Sequence, residues 1–165
     1  MKIGICGAGT VGRGVTQILQ DNHALITART GKALEVTVVA SRSAPTDKIF
    51  KDIAYTADIV SVCRRDDVDV VVELIGGTTD AKVLIETALG AGKSVVTANK
   101  ALIAEHGDAL FALAAAHKVS LLYEAAVAGS IPIIKVIQES LAGNQVAWLA
   151  GIINGTANFI LTEMA

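Results

Sequence analysis

Six residues near the N-terminus have the spacing of a phosphate-binding turn. They fit the pattern glycine-x-glycine-x-x-glycine and are Gly7, Ala8, Gly9, Thr10, Val11 and Gly12. An apolar run at residues 2–6 precedes them, and residues 11–20 follow with helical spacing. In such a turn Gly7 allows the tight bend, Gly9 leaves room for a pyrophosphate, and Gly12 lets the helix pack closely on the strand. The helix N-terminus then offers free N–H groups to the anion. We therefore expect a dinucleotide site here, the alternative being an ordinary strand-to-helix turn.

The end of the next predicted strand, at residues 34–40, bears on which dinucleotide is bound. A strict NAD site places an acid there to hold the ribose 2′-OH. This sequence has Ser41, Arg42 and Ser43 instead, and Glu35 lies at the wrong end of the strand. Arg42 is suited to pairing with a 2′-phosphate, with a serine donating a further hydrogen bond. The sequence thus favours NADP over NAD, unless Arg42 is simply a solvent-exposed arginine.

Further motifs follow later predicted strands, at the carboxyl ends where open α/β sheets bind ligands. Residues 73–78 read Glu-Leu-Ile-Gly-Gly-Thr, and residues 97–100 read Thr-Ala-Asn-Lys. A third motif spans residues 123–132, and a fourth spans residues 151–161. Together with the glycine turn, this ordered set resembles the homoserine dehydrogenase family from residue 2 to residue 165.

The resemblance implies an NAD(P)-dependent oxidoreductase that interconverts homoserine and aspartate semialdehyde in the biosynthesis of threonine and methionine. It implies a Rossmann domain joined to a substrate and dimerisation domain in a homodimer. It also places Gly76, Gly77, Thr78 and Asn99 at the cofactor and makes Lys100 a catalytic residue facing nicotinamide and substrate. From the residues alone, a lysine that begins a surface helix is the alternative for Lys100. The family's main acid/base lysine and substrate carboxylates lie beyond this sequence, so we expect a truncated piece that binds cofactor without turning over homoserine.

Two more sites follow from the same resemblance. Glu124, with the backbone carbonyls of Val127, Gly129 and Ile131, matches a monovalent cation site for an ion such as sodium, since carboxylate and carbonyl oxygens suit hard cations. An ion pair between Glu124 and a lysine is the alternative. The chain departs from the family at Ser130, where many relatives carry glycine. Gly155 and Thr156 match a substrate contact, with a plain strand-to-helix turn as the alternative.

These motifs must be positioned by strands that alternate with helices, a pattern that predicts a doubly wound parallel sheet of the Rossmann type. We predict strands at 2–6, 34–40, 68–75, 94–97, 119–123 and 145–153, and a weak one at 59–63. Helices are predicted at 11–20, 79–91, 102–117, with an internal restart near Gly107 and Asp108, and 131–141, and a broken helix or loop at 21–32. The Rossmann domain is placed at 1–143 and the start of the second domain at 144–165.

Composition excludes several classes of function. The formal net charge is −2 and no basic stripe is present, which argues against nucleic acid and favours a small-molecule partner. No apolar run approaches the roughly 18 residues of a membrane span. Cys6 and Cys63 lack metal or disulfide spacing and are expected to be buried free thiols in the cytoplasm. Two alternatives to the family assignment are another amino-acid dehydrogenase, such as an aspartate dehydrogenase, and a stand-alone dinucleotide-binding module.

Overall fold

The computed structural model describes residues 1–151 and 162–164 and is built around a parallel sheet. Its strands are β1 (Lys2–Cys6), β2 (Glu35–Ala40), β3 (Ala54–Thr56), β4 (Val70–Glu73), β5 (Ser94–Thr97) and β6 (Leu121–Leu122). The six strands pair in the order β3-β2-β1-β4-β5-β6, and every pairing is parallel. This is the strand order of the dinucleotide-binding Rossmann fold, so the predicted fold class is confirmed.

Within residues 1–151, five helices connect these strands or follow them. They are α1 (Thr10–Asp21), α2 (His23–Thr30), α3 (Thr79–Gly90), α4 (Lys100–Ala116) and α5 (Ile133–Lys135), which continues as a wider turn over Val136–Ser140. Short 3-10 turns occupy Lys48–Phe50, Val60–Arg64 and Glu124–Ala126. The break between α1 and α2 at Asn22 agrees with the broken helix predicted for residues 21–32.

The sheet is covered on both faces, which explains its apolar composition. Side chains alternate along a strand, so neighbouring residues of β4 enter different cores: Val71 packs with one cluster and Val72 with the other. The first cluster contains Leu84 of α3 and Leu102 of α4, and both are fully buried. Truncating a leucine such as Leu84 to alanine typically costs about 2–5 kcal/mol of stability.

Three local predictions are wrong. Residues 59–63 are not a strand, because Val60–Arg64 forms a 3-10 turn and the strand in this region is β3. Helix α4 is continuous through Gly107, so the predicted helix restart there does not occur. The Phe111 ring packs over that glycine and would lie 3.3 Å from a Cβ at this position. Residues 145–151 form no strand, because no described strand lies beside them to supply hydrogen bonds.

The two cysteines have the environment that the sequence predicts, and two apolar residues near the C-terminus are exposed. Cys6 and Cys63 are buried and free. Burial raises the pKa of the Cys63 thiol to about 11 and raises the pKa of Cys6 further, so both are neutral near pH 7. Trp148 and Leu149 are 79% and 61% exposed. No helix within residues 1–151 and 162–164 has the length and apolar character to cross a membrane.

Candidate dinucleotide-binding cleft

A cleft of about 1010 Å³ opens at the carboxyl edge of the sheet. The segments that follow β1, β2 and β4 form its walls, as expected for the ligand crevice of a doubly wound sheet. Its lining comprises Gly7, Ala8, Gly9, Thr10, Arg13, Ser41, Arg42, Ser43, Ala44, Pro45, Thr46, Asp47, Phe50, Ile59, Leu74, Ile75, Gly76, Gly77 and Asp80.

Two glycines of the N-terminal turn are required by close contacts. Gly7 has a φ of 117°, and its N–H donates to the carbonyl of Ala40 at 2.8 Å. A Cβ on Gly7 would lie 2.6 Å from the carbonyl oxygen of Leu74, and one on Gly12 would collide with the carbonyl oxygen of Gly7. The absence of side chains thus lets α1 start directly against β1 and its neighbouring strands.

Gly9 differs from these two because it faces open space. Apart from the two adjoining residues, no atom lies within 4 Å of the position a Cβ would take at Gly9, although the residue lines the cleft. Gly9 is also the N-cap of α1, and no side chain caps this helix or places an acid in its first turn. The N–H groups of that turn lack intrahelical partners. The turn at residues 7–12, which we call the phosphate cradle, therefore fits a phosphate group held by backbone N–H donors. Val11 is 56% exposed and does not line the cleft.

The segment after β2 forms one end of the cleft, which we call the Arg42 end (residues 41–47 with Arg13). Arg42 is exposed and lines the cleft. The Ser41 hydroxyl donates to the carbonyl of Ser43 at 2.7 Å, so its proton is used within the loop. Tyr55 donates to the carbonyl of Ser41 at 3.0 Å and ties the loop to β3. These bonds fix the backbone of the loop that carries Arg42.

A carboxylate from the segment after β2 also reaches the Arg42 end. Asp47 lines the cleft and forms an ion pair with Arg13 of α1 at 2.5 Å. The backbone N–H of Ile49 and the Arg13 side chain hold the pKa of Asp47 below its usual value. Its position depends on the path of the long 41–53 segment, and the sequence gives no local signal for that path.

The opposite end of the cleft, which we call the Gly76 end (residues 74–77), is formed by backbone. Gly76 and Gly77 both have a φ of 72°, in the left-handed region that favours glycine. Behind them Glu73 is fully buried, and one of its oxygens accepts from the N–H groups of Ile75 at 2.9 Å and Gly76 at 3.1 Å. Sequence reasoning gave Glu73 no role, although a carboxylate ending an apolar strand was a visible signal.

The remaining residues predicted for this end occupy different positions. Asn99 donates to the carbonyl of Gly77 at 2.6 Å and accepts from the N–H of Leu102 at 3.1 Å, so it joins the loop to the start of α4. Thr78 precedes α3 without a side-chain capping bond. Lys100 is the first residue of α4 and is exposed. Thr78, Asn99 and Lys100 do not line the cleft itself.

The segment matched to a cation site forms a tight turn. The carboxylate of Glu124 accepts from the backbone N–H groups of Ile134 at 3.0 Å and Lys135 at 2.8 Å, and it takes part in no ion pair within the described residues. The carbonyl of Gly129 accepts from Ile131 at 2.7 Å. Ser130 has a φ of 56°, which explains why glycine suits this position. Gly155 and Thr156 lie outside the described residues, as do Ile152, Phe159 and Ile160.

Comparison with protein families gives two matches. The family model described as the NAD binding domain of homoserine dehydrogenase matches residues 7–124. A second model, described as homoserine dehydrogenase, matches residues 132–165.

Named relatives and solved structures agree with these matches. The chain is 52% identical over 165 residues to a homoserine dehydrogenase of Pseudomonas aeruginosa and 46% identical to one of Neisseria gonorrhoeae. It spans 99% of its own length but only 38% of either relative. A crystal structure of a homoserine dehydrogenase from Thiobacillus denitrificans superposes with a TM-score of 0.91 at 46% identity, over 99% of this chain and 38% of that one. A hyperthermophilic archaeal homoserine dehydrogenase in complex with NADPH gives 0.72 at 27% identity, over 86% of this chain and 49% of that one.

Proposed function

This chain belongs to the homoserine dehydrogenase family, and from that membership we propose that the protein interconverts L-homoserine and L-aspartate 4-semialdehyde using a nicotinamide dinucleotide. The observation that carries the proposal is the open cradle at Gly9, placed at the uncapped N-terminus of α1 in a cleft at the carboxyl edge of the sheet. The chain spans 38% of its curated relatives, so its part in the reaction is mainly to bind and orient the cofactor.

Each part of the cleft has one role in binding the cofactor. The residues proposed to hold the cofactor are Gly7, Ala8, Gly9, Thr10, Val11, Gly12, Arg42, Gly76, Gly77, Thr78, Asn99 and Lys100. The N–H groups at the start of α1 hold the pyrophosphate, and Arg42 pairs with a 2′-phosphate, which favours NADP over NAD. The nicotinamide, which accepts or donates the hydride when bound, lies toward the Gly76 end. The NADPH complex of the archaeal relative supports this choice.

Lys100 is proposed to act at the reacting oxygen. Its Nζ donates a hydrogen bond to the hydroxyl or carbonyl oxygen of the substrate and so orients it toward the cofactor. A cation at the first position of α4 lies against the positive end of the helix dipole, and the first turn contains no acid to offset it. Such a locally unfavourable placement is typical of a residue kept for function. Gly155 and Thr156 are proposed to contact the substrate.

A monovalent cation such as sodium is proposed at Glu124 and the carbonyls of Val127, Gly129 and Ile131. The turn that contains Gly129 and Ser130 follows Glu124 closely in the chain, and carboxylate and carbonyl oxygens of such a segment suit a hard cation. Replacing sodium by a large organic cation should weaken homoserine turnover while leaving cofactor titrations unchanged. Unchanged turnover would remove the cation from the proposal.

The longer protein is proposed to be a cytoplasmic homodimer acting in the biosynthesis of threonine and methionine. The Rossmann domain is placed at residues 1–143 and the start of a substrate and dimerisation domain at 144–165. Support comes from the two successive family matches and from the exposed Trp148 and Leu149, whose apolar surface suits a covered interface. Light scattering on the purified protein containing this chain measures its oligomeric state, and a monomer would contradict the dimer.

The function is tested by following reduced cofactor by absorbance in a purified protein that contains this chain. We expect homoserine with NADP to give reduced cofactor, whereas aspartate gives none. Cofactor affinity is measured separately by titration. Reduction with aspartate alone would favour an aspartate dehydrogenase, and binding of cofactor without reaction of either substrate would favour a dinucleotide-binding module.

A further inference from the structure

Glu73 is a buried acid that the proposed reaction does not use. Its side chain is fully buried, and no ion pair that the structure describes includes it. A buried carboxylate is unfavourable unless hydrogen-bond donors replace the water it has lost. Glu73 has three such donors, the N–H groups of Ile75 and Gly76 and the hydroxyl of Thr97, which lies 2.5 Å from its second oxygen. The two strands that flank β4 end at the same level in Cys6 and Thr97, so Glu73 is the acid among three strand ends.

These bonds continue into a closed ring. The Thr97 hydroxyl accepts from the N–H of Asn99 at 3.0 Å, and the Asn99 amide donates to the carbonyl of Gly77 at 2.6 Å. Asn99 also accepts from the N–H of Leu102 in the first turn of α4. The ring therefore runs from Glu73 through the 75–77 loop to Asn99, and back through Thr97. We call Glu73, Thr97 and Asn99 the Glu73 network.

The loop in this ring requires external support. Gly76 and Gly77 both occupy the left-handed region, and glycine has the largest conformational freedom to lose there. A carboxylate that accepts two successive N–H groups, together with an amide that donates to the next carbonyl, fixes the loop from both sides. The same ring fixes the start of α4 and hence the backbone of Lys100.

We propose that Glu73 is a positioning residue that holds the Gly76 end of the cleft and the start of α4 in one fixed arrangement for the nicotinamide half of the cofactor. This inference rests on the proposed function for the identity of that ligand. Glu73 does not itself line the cleft, so it acts through Gly76, Gly77 and Asn99 rather than by touching the cofactor.

The test compares two ligands that share one half. 2′-Phospho-ADP-ribose carries the adenosine and pyrophosphate groups but no nicotinamide, whereas NADP carries all three. In E73Q, an amide replaces one accepting oxygen, and its NH2 group faces the Thr97 hydroxyl. We expect NADP affinity to fall about tenfold while affinity for 2′-phospho-ADP-ribose stays within about twofold, the scale of losing a charge-assisted hydrogen bond. V71A, in the same buried strand, is the matched control for general destabilisation and should show no such difference.

T97V serves as the second variant, because it removes only the hydroxyl that links Glu73 to Asn99. It should give the same selective loss to a smaller extent, and it decides the question if E73Q does not fold. Equal losses for both ligands, no loss for either, or the same selective loss in V71A would overturn the proposal. The binding measurement needs no substrate. A selective loss in a protein that does not oxidise homoserine would therefore leave the positioning role standing while contradicting the proposed reaction.

Discussion

The two ends of the cleft are built in opposite ways. The Arg42 end presents exposed charged side chains, and its main contact between elements is the ion pair between Arg13 and Asp47, with side chains 55% and 38% exposed. The Gly76 end presents backbone, and the Glu73 network behind it is buried. Exposed ion pairs contribute little to stability and rearrange easily, whereas a fully satisfied buried network specifies one arrangement.

The difference indicates a division of labour. An end made of exposed charges can select between cofactors that differ by one phosphate, because a change there alters one contact and leaves the fold intact. An end made of fixed backbone can hold a reacting group to the accuracy that hydride transfer requires. Substitutions at the Arg42 end should therefore change the ratio of cofactor affinities, and substitutions at the Gly76 end should lower turnover or the binding of the nicotinamide half.

The largest effect is expected between the two ends, at the phosphate cradle. Gly9→Val should abolish detectable binding of both NADP and NAD, because the branched side chain would occupy the open space proposed for the pyrophosphate. The backbone of Gly9 is extended, with φ −75° and ψ −164°, so valine is accepted there without strain. Binding is measured by calorimetric titration, and folding by circular dichroism.

Gly14→Val is the matched control, since Gly14 lies in the same helix and a Cβ there also meets no atom within 4 Å. Gly14 does not line the cleft, so this variant should bind cofactor normally. A folded Gly9→Val protein with unchanged affinity would contradict the phosphate-cradle assignment.

The next largest effect is expected at Lys100, the residue proposed to act at the reacting oxygen. Lys100→Ala should lower kcat for homoserine by about 10²–10⁴-fold, the range for removing a positioned acid–base group. The measurement is steady-state kinetics beside a cofactor titration, with Lys82→Ala of α3 as the control for loss of one positive charge. If kcat is unchanged, Lys100 is merely a surface residue at a helix start.

Much of this arrangement is predictable from the sequence, because it depends on local patterns. The glycine turn, the β-branched strands and the glycines after β4 are each encoded within a few residues, and a doubly wound parallel sheet follows from alternating strands and helices. β3 was missed because its three residues, Ala54–Thr56, lie at the sheet edge and show no alternation. The apolar run at 59–63 is too short for its period to separate a strand from a helical turn.

The parts of the site that the sequence does not predict depend on contacts between distant segments of the chain. Asp47 reaches Arg13 across 34 positions of the chain, and Thr97 reaches Glu73 across 24, so neither pairing has a local signature. For Glu73 alone a signal was present, since an acid that ends a buried strand needs partners. The sequence predicts that Lys100 lies near the start of a helix. It does not predict that Lys100 lies outside the lining of the cleft.

A smaller effect is expected from Arg42, and it separates the two cofactors. Arg42→Ala should weaken NADPH binding by roughly 1–3 kcal/mol, the scale of a hydrogen bond between charged groups, and leave NADH nearly unaffected. Arg29→Ala in α2 removes an equal charge away from the cleft lining and serves as control. Equal losses for NADPH and NADH in titrations would show that Arg42 does not contact the 2′-phosphate.

The smallest effect concerns the carboxylate that shares this end with Arg42. Asp47→Asn keeps an oxygen to accept from the N–H of Ile49 but removes a negative charge from the cleft and releases Arg13. The ratio of NADPH to NADH affinity should therefore rise, by about two- to fivefold because exposed charges interact weakly in water. The pKa of Asp47 lies below its usual value, so the carboxylate is ionised at neutral pH and the gain should be present there. The gain should shrink at about 1 M salt, where charges are screened within roughly 3 Å.

Asp52→Asn is the control for this prediction, because Asp52 is exposed and lies outside the cleft lining. A ratio that falls instead would mean that Asp47 holds Arg13 where the cofactor needs it, and the Arg42 end would then resemble the Gly76 end in being a fixed structure.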